Sequence, residues 1–299
     1  MTPDHPDPAD AAVVAAIDVG TNTTRLLVAR VARGRIEPMA SGSAMTALGA
    51  GLRPGGDIGP AGLDLVELTV RQMADEARAL GARRLVVACT APARTAGNVG
   101  ALLGRLEDAA GVAPRVLSGP EEAELSFRGL VASGAPDPLL AIDLGGGSLE
   151  LMGGEGGMLR WATSIPIGAR SLTERFAPAD PPSIDLLEPM VHAVRELIDA
   201  IDLPAGGREA VAAGGSAAAV AALAGGDRLD RDALARALER LAASPADDLA
   251  DELGLEPARV RLSLAGAAAL EAVRRSFALD ALVVSRAGLR EGLVLEAAG

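Results

Sequence analysis

Apolar and polar positions along the chain follow two rhythms, and the changes of rhythm mark the elements. In "AAIDVGTNTTRLLVAR", residues 15–30, an apolar run stops at Asp18, passes through Gly20-Thr21-Asn22-Thr23, and resumes as "RLLVARV". Two short apolar runs bounded by turn residues predict two strands. "GPAGLDLVELTVRQMADEARAL" has helical apolar spacing, and "RRLVVACT" reads as a buried strand. "IDLLEPMVHAVRELIDAI" sets Leu186, Leu187, Met190, Val191, Val194 and Ile198 on one stripe, with Ser183 as the expected N-cap and His192 beside the stripe as a structural residue. "AAGGSAAAVAAL", residues 212–223, predicts a strand, a glycine turn and a small-residue helix, and "SPADDLADELGLEPARV" a short charged helix and a turn.

The loop at Gly20 is unusual for an anion cradle, because it leads into a strand and not into a helix. Its residues can still offer backbone N–H groups and several hydroxyls to phosphate, although an ordinary hairpin would look the same. The pattern recurs. In "LAIDLGGGSLELMGGEGGMLR", residues 140–160, Asp143, Gly145, Ser148 and Leu151 match Asp18, Gly20, Thr23 and Leu26 at the constant offset 143 − 18 = 125. Repetition in register points to duplicated architecture: two similar α/β halves, each lending a loop to one cleft. Glycine lets the backbone approach phosphate oxygens, and an Asp in each loop is a natural partner of a metal ion or its water. Carboxylates in a phosphate site would repel their ligand, so they imply Mg2+ or Mn2+.

Composition narrows the chemistry. The 299 residues suffice for about two domains. No charge-free apolar run is long enough to span a membrane, and "MTPDHPDPAD" lacks the apolar core of a signal peptide, so residues 1–11 are expected to be a disordered tail on a cytoplasmic protein. One cysteine, Cys89, excludes an internal disulfide, and two histidines leave little for a His-metal cluster or a Ser-His-Asp triad. The absence of lysine removes a Walker-type phosphate loop. A net charge of −12, with no tyrosine, argues against a nucleic-acid surface. What remains is carboxylates, hydroxyls, backbone amides, arginines and a metal.

Between the hairpins, "VLSGPEEAELSFRGL" ends a strand at Ser118-Gly119-Pro120 and begins a helix at Glu121-Glu122. Acidic residues there can be a simple helix start. Together with "AAIDVGTNTTRLLVA", "ACTAPARTAGN", "AIDLGGGSLEL", "SIPIGARSLTERF", "VAAGGSAAAVAAL" and "VSRAGLREGLVLE", in that order, the segment resembles the exopolyphosphatase / guanosine pentaphosphate phosphohydrolase (Ppx/GppA) family, within the actin, sugar kinase and Hsp70 superfamily.

The resemblance, running from about Ala15 to Glu296, implies two actin-like (ribonuclease H-like) α/β domains with a cleft between them, expected at 12–127 and 128–299. It implies that Glu122 is the general base activating water. By it, Gly20, Thr21, Asn22, Thr23, Arg25, Arg94, Gly145, Gly146, Gly147 and Ser148 bind phosphate, and Asp143, Glu150 and Asp18 serve the metal. Gly214, Gly215 and Ser216 would face distal phosphates or a nucleotide, or pack helices closely. Arg290 is a further candidate for the positive patch. Two departures stand out: Arg170 and Ser171 where the family usually has Gly-Ala-Val-Arg, and "RVRLSLAG" near Arg259. The expected activity is Mg2+-dependent removal of terminal phosphate from polyphosphate, of short chains because the helical domains of longer relatives are absent. The alternatives are 5′-phosphate hydrolysis of guanosine pentaphosphate and a non-catalytic sensor; a sugar-kinase-like transfer fits less well. A homodimer is the family expectation.

Overall fold

Strand β1, Ala12–Val19, sends alternate side chains to opposite faces, and both faces are buried. Ala15, Ile17 and Val19 enter one apolar cluster, Val14 and Ala16 another, which is why the strand reads as an unbroken apolar run. The computed structural model describes residues 11–201 and 208–299; the expected tail, with His5, lies outside them apart from Ala11. Among the described residues no helix is long and apolar enough to cross a membrane.

The chain continues through β2 (Thr23–Ala32), β3 (Arg35–Met45), α1 (Pro60–Ala79), β4 (Arg84–Cys89), α2 (Ala91–Thr95), α3 (Val99–Ala110), β5 (Arg115–Val116) and α4 (Gly119–Ala132). These strands form a sheet in the order β3-β2-β1-β4-β5, antiparallel across β1-β2-β3 and parallel across β1-β4-β5. Leu63, Val66 and Val70 of α1 and Leu102 and Leu106 of α3 cover one face. Leu125 of α4 covers the other.

A second sheet follows, from β6 (Leu139–Leu144), β7 (Leu149–Glu155), β8 (Met158–Ile165), α5 (Ala169–Phe176), α6 (Leu187–Asp199), β9 (Glu209–Ala213), α7 (Gly215–Ala224), β10 (Arg228–Asp230), α8 (Arg231–Ala243), α9 (Ala246–Leu253), α10 (Pro257–Val260), α11 (Ser263–Ser276) and β11 (Ala281–Val284). Its order, β10-β11-β9-β6-β7-β8, again joins an antiparallel meander to parallel crossover strands. The duplication read from the two hairpins therefore extends to sheet topology.

The chain closes with α12, Leu289–Ala298. Packing divides it into a first unit, 1–135 with 287–299, and a second, 136–286. This corrects the expected boundaries of 12–127 and 128–299. Leu289, Leu293 and Val294 of α12 cover the face of the first sheet that carries Val14, Ala16, Leu27 and Ala29, so the last helix belongs with the first strands. One smaller expectation shifts as well. Ser183 caps a 3-10 turn, Ile184–Leu186, by accepting from the Asp185 N–H, and α6 starts only at Leu187 with Pro189 in its first turn, where a missing N–H costs little. His192 lies beside the stripe, exposed, with its Nε2 3.3 Å from Glu196 Oε1.

Candidate active site

In the first unit, the hairpin of β1 and β2 closes with the Gly20 N–H donating to the Thr23 carbonyl at 3.0 Å. The carbonyls of Asn22 and Thr21 accept from Ala47 and Gly49 at 2.8 and 2.9 Å, and a Cβ at Gly49 would overlap the Thr21 methyl. The segment after β3 is thus stitched onto the loop and fixes its shape. Asp18 stands directly opposite Arg25 in the β1–β2 register, on the sheet face covered by α4 and α12. The Arg25 Nε also donates to Thr23 Oγ1 at 3.3 Å.

The two adjacent glutamates of α4 part ways. Glu121 closes a capping box: Ser118 Oγ accepts from the Glu121 N–H, and Glu121 Oε2 accepts from the Ser118 N–H at 2.8 Å. Hydrogen bonds from the Ser118 hydroxyl and backbone hold the Glu121 carboxyl below its ordinary pKa. Glu122 points elsewhere and is buried, 8 % exposed. Its Oε2 accepts from Arg94 Nη1 at 2.7 Å, and the same nitrogen donates to the Leu117 carbonyl at 2.9 Å. The simple helix start is therefore the reading for Glu121, and Glu122 has a different task. Arg290, the remaining candidate cation here, donates to the Leu26 carbonyl at 3.2 Å and secures β2.

In the second unit, the Gly145 N–H donates to the Ser148 carbonyl at 3.0 Å, the same closure as at Gly20. The carbonyl of Gly145 accepts from Ala169 and that of Gly146 from Arg170 and Ser171, so the first N–H groups of α5 clasp the loop. A Cβ at Gly168 would fall 2.5 Å from the Gly146 carbonyl carbon, which requires glycine there. The Arg170–Ser171 departure is accommodated locally: Ser171 Oγ accepts from the Gly168 N–H at 2.9 Å, and the Arg170 side chain lies 3.7 Å from Glu174. In "RVRLSLAG", Arg261 ties Asp180 to Asp247.

Asp143 and Glu150 stand directly opposite each other on β6 and β7. At the offset of 125, Glu150 occupies the place that Arg25 holds in the first hairpin. One repeat thus sets an acid against a base and the other sets two acids together. Directly opposed like charges destabilise a sheet unless a cation joins them. Glu150 is 1 % exposed and accepts from Ser164 Oγ at 2.7 Å, while Gly214, at φ +98°, brings the start of α7 alongside: a Cβ there would fall 3.0 Å from Asp143 Oδ1. No cluster of three His, Cys, Asp or Glu exists among the described residues. A pair of carboxylates suits Mg2+, which keeps several waters and takes further oxygens from phosphate, better than a metal that demands an all-protein cage. The residues present fit the ion.

Most of the chain has counterparts among known proteins. A family model described as the Ppx/GppA phosphatase family matches residues 27–299. The chain belongs to the Ppx/GppA phosphatase family. Exopolyphosphatase 1 of Mycobacterium tuberculosis is 31 % identical over 296 residues, covering 93 % of this chain and 86 % of the relative. An exopolyphosphatase structure from Cytophaga hutchinsonii matches with a TM-score of 0.83 and 24 % identity over 95 % of this chain and 97 % of the other. The Aquifex aeolicus Ppx/GppA enzyme matches at 0.78 and 24 % over 96 % and 99 %. This Ppx/GppA member is a phosphoanhydride hydrolase built of two actin-like α/β units. Three supports of the candidate site leave no local trace in the sequence: the contact of Ser164 with Glu150, the close approach of Gly168 to Gly146, and the contact of Arg94 with Glu122.

Proposed function

We propose that the chain removes the terminal phosphate of inorganic polyphosphate, with Glu122 as general base and a divalent ion, Mg2+ or Mn2+, held by Asp143 and Glu150. The observation that carries this reading is the Glu122 carboxylate, nearly buried, tied to Arg94 and released from the capping duty that Glu121 performs. The contact with Arg94 fixes where the carboxylate points, as a base that must meet a single water requires. The names of the mycobacterial and Cytophaga relatives support the choice of polyphosphate.

Glu122 takes a proton from water as the water oxygen bonds to the terminal phosphorus. The bond from that phosphorus to the bridging oxygen breaks, the oxygen keeps the electron pair, and the products are orthophosphate and a chain one phosphate shorter. Positioning and neutralisation of charge dominate such a transfer. The ion, when bound, neutralises charge on the phosphate oxygens. The Thr21-Asn22-Thr23 loop and the Gly145-Gly146-Gly147-Ser148 loop are each rich in backbone and hydroxyl donors suited to phosphate oxygens, and Arg25 supplies a cation beside the first. Asp18, at the mouth of the first loop and opposite Arg25 in the strand register, we keep as a further carboxylate that serves the metal or its water. Gly214, Gly215 and Ser216, at the start of α7, suit the distal phosphates.

Phosphate release from short polyphosphate, long polyphosphate and guanosine pentaphosphate, each with Mg2+ and with a chelator, tests the reading. Metal-dependent release from polyphosphate is expected. Release from guanosine pentaphosphate alone would replace the substrate, and binding of all three without release would leave a sensor.

A further inference from the structure

The family resemblance assigns Arg94 to phosphate, yet its geometry describes another task. Arg94 sits in the last turn of α2. One nitrogen, Nη1, donates both to Glu122 Oε2 at 2.7 Å and to the Leu117 carbonyl at 2.9 Å. Leu117 immediately precedes Ser118, the residue that caps α4. A single guanidinium corner therefore holds the carboxylate and also the peptide from which the carboxylate's helix starts. Neither partner is loosely held: the Glu122 side chain is 10 % exposed and that of Arg94 23 %.

The base of the clamp is anchored too. The Thr95 carbonyl, next in sequence, accepts from the Gly55 N–H at 2.8 Å. Asn98 accepts from the Ile58 N–H and donates to the Ile58 carbonyl, both at 2.9 Å. The Leu117 N–H donates to the Cys89 carbonyl at 2.9 Å, which ties the start of α4 to the strand that leads into α2. Arg94 thus closes a ring that runs through Leu117 and Cys89 back to α2 and holds the Glu122 side chain against it. A phosphate ligand would be expected to direct a pair of N–H groups at the anion. Here the nitrogen nearest the base is committed to protein acceptors.

We infer that Arg94 is a positioning residue that acts through Glu122, fixing the carboxylate and the first turn of α4, and that it is not a ligand of the phosphate. The inference rests on Glu122 being the base. A carboxylate released from this clamp would keep its chemistry and lose its aim, and misplacement of about 1 Å can cost about a hundredfold in rate. Substrate affinity, by contrast, would be untouched.

A double-mutant cycle on polyphosphate hydrolysis, with substrate binding measured by calorimetry, separates the two roles. Arg94→Ala is expected to lower kcat by about ten- to a hundredfold with KM and the dissociation constant unchanged. Arg94→Lys should recover part of the loss, since one ammonium can reach both acceptors. In a Glu122→Gln background Arg94→Ala should cost nothing further. Losses that multiply across the two sites, or a rise in KM and in the dissociation constant of inorganic phosphate, would overturn the inference and return Arg94 to the phosphate. Thermal melting of each variant checks that it is folded, and Arg94→Gln replaces Arg94→Ala if the alanine variant is not. A wild type that releases no phosphate, or a Glu122→Gln variant with full activity, would instead overturn the assignment of the base, so the two failures are distinguishable.

Discussion

One peptide bond separates Glu121 from Glu122, and a turn of about 100° around α4 sends the first to Ser118 and the second to Arg94. Residue type alone could not tell them apart. The same holds for Cys89, whose chemistry is decided by its place: burial first, and the Asp18 charge second, push its thiol up to about 12. At pH 8 a thiol reagent is expected to leave native protein unlabelled and to label one thiol per chain after denaturation. Rapid labelling of the folded protein would contradict the buried end of β4.

At the scale of elements, glycine decides how closely backbones approach. A Cβ at Gly292 would overlap the Leu125 carbonyl, and one at Gly129 would overlap that of Gly288, so α12 and α4 meet backbone to backbone. Leu125 lies one turn beyond Glu122. Gly292→Ala is therefore expected to destabilise the protein by about 1–3 kcal/mol, measured by denaturant unfolding, and to lower kcat by shifting α4. Unchanged stability and activity would show that the helices tolerate a wider spacing.

Much of this level was legible in the chain. The Asp-x-Gly hairpins, the stripe of α1 and the strand–turn–helix at Gly214 follow from apolar rhythm and turn residues. The contact between Ser164 and Glu150 does not. A two-residue turn at Gly156-Gly157 pairs Glu155 with Met158, and that register carried through unshifted would set Thr163 against Glu150. A bulge between Gly153 and Gly154 moves the pairing by one, so Ser164 arrives instead. Gly153 marks the place because a Cβ there would overlap the Trp161 ring, a reason that lies in a neighbouring strand and not in the local sequence.

For the whole molecule, the order of residues misleads about which parts belong together, since α12 completes the unit that β1 begins. Long-range packing of this kind leaves no local trace except an apolar strand with two faces to cover. Stability of the second unit has an electrostatic part as well. Burial pushes Glu271 up, but hydrogen bonds from Arg274 and Arg275 outweigh it and hold the carboxyl below its ordinary 4.5. Glu188 is lowered in turn by its hydrogen bonds from Arg275. A group whose folded pKa is depressed stabilises the fold fully above 4.5, and the contribution is lost as pH falls below that value. Glu271→Gln should lower stability by about 2 kcal/mol at neutral pH and flatten the acid decline of the melting temperature. An acid slope equal to that of the wild type would contradict this.

The role of Glu122 as the base is decided by the rate of Mg2+-dependent phosphate release from polyphosphate by the wild type and by Glu122→Gln, with binding followed in parallel. In the variant kcat is expected to fall by about a hundredfold or more while the substrate still binds. A Glu122→Gln variant that turns over at the wild-type rate would contradict it.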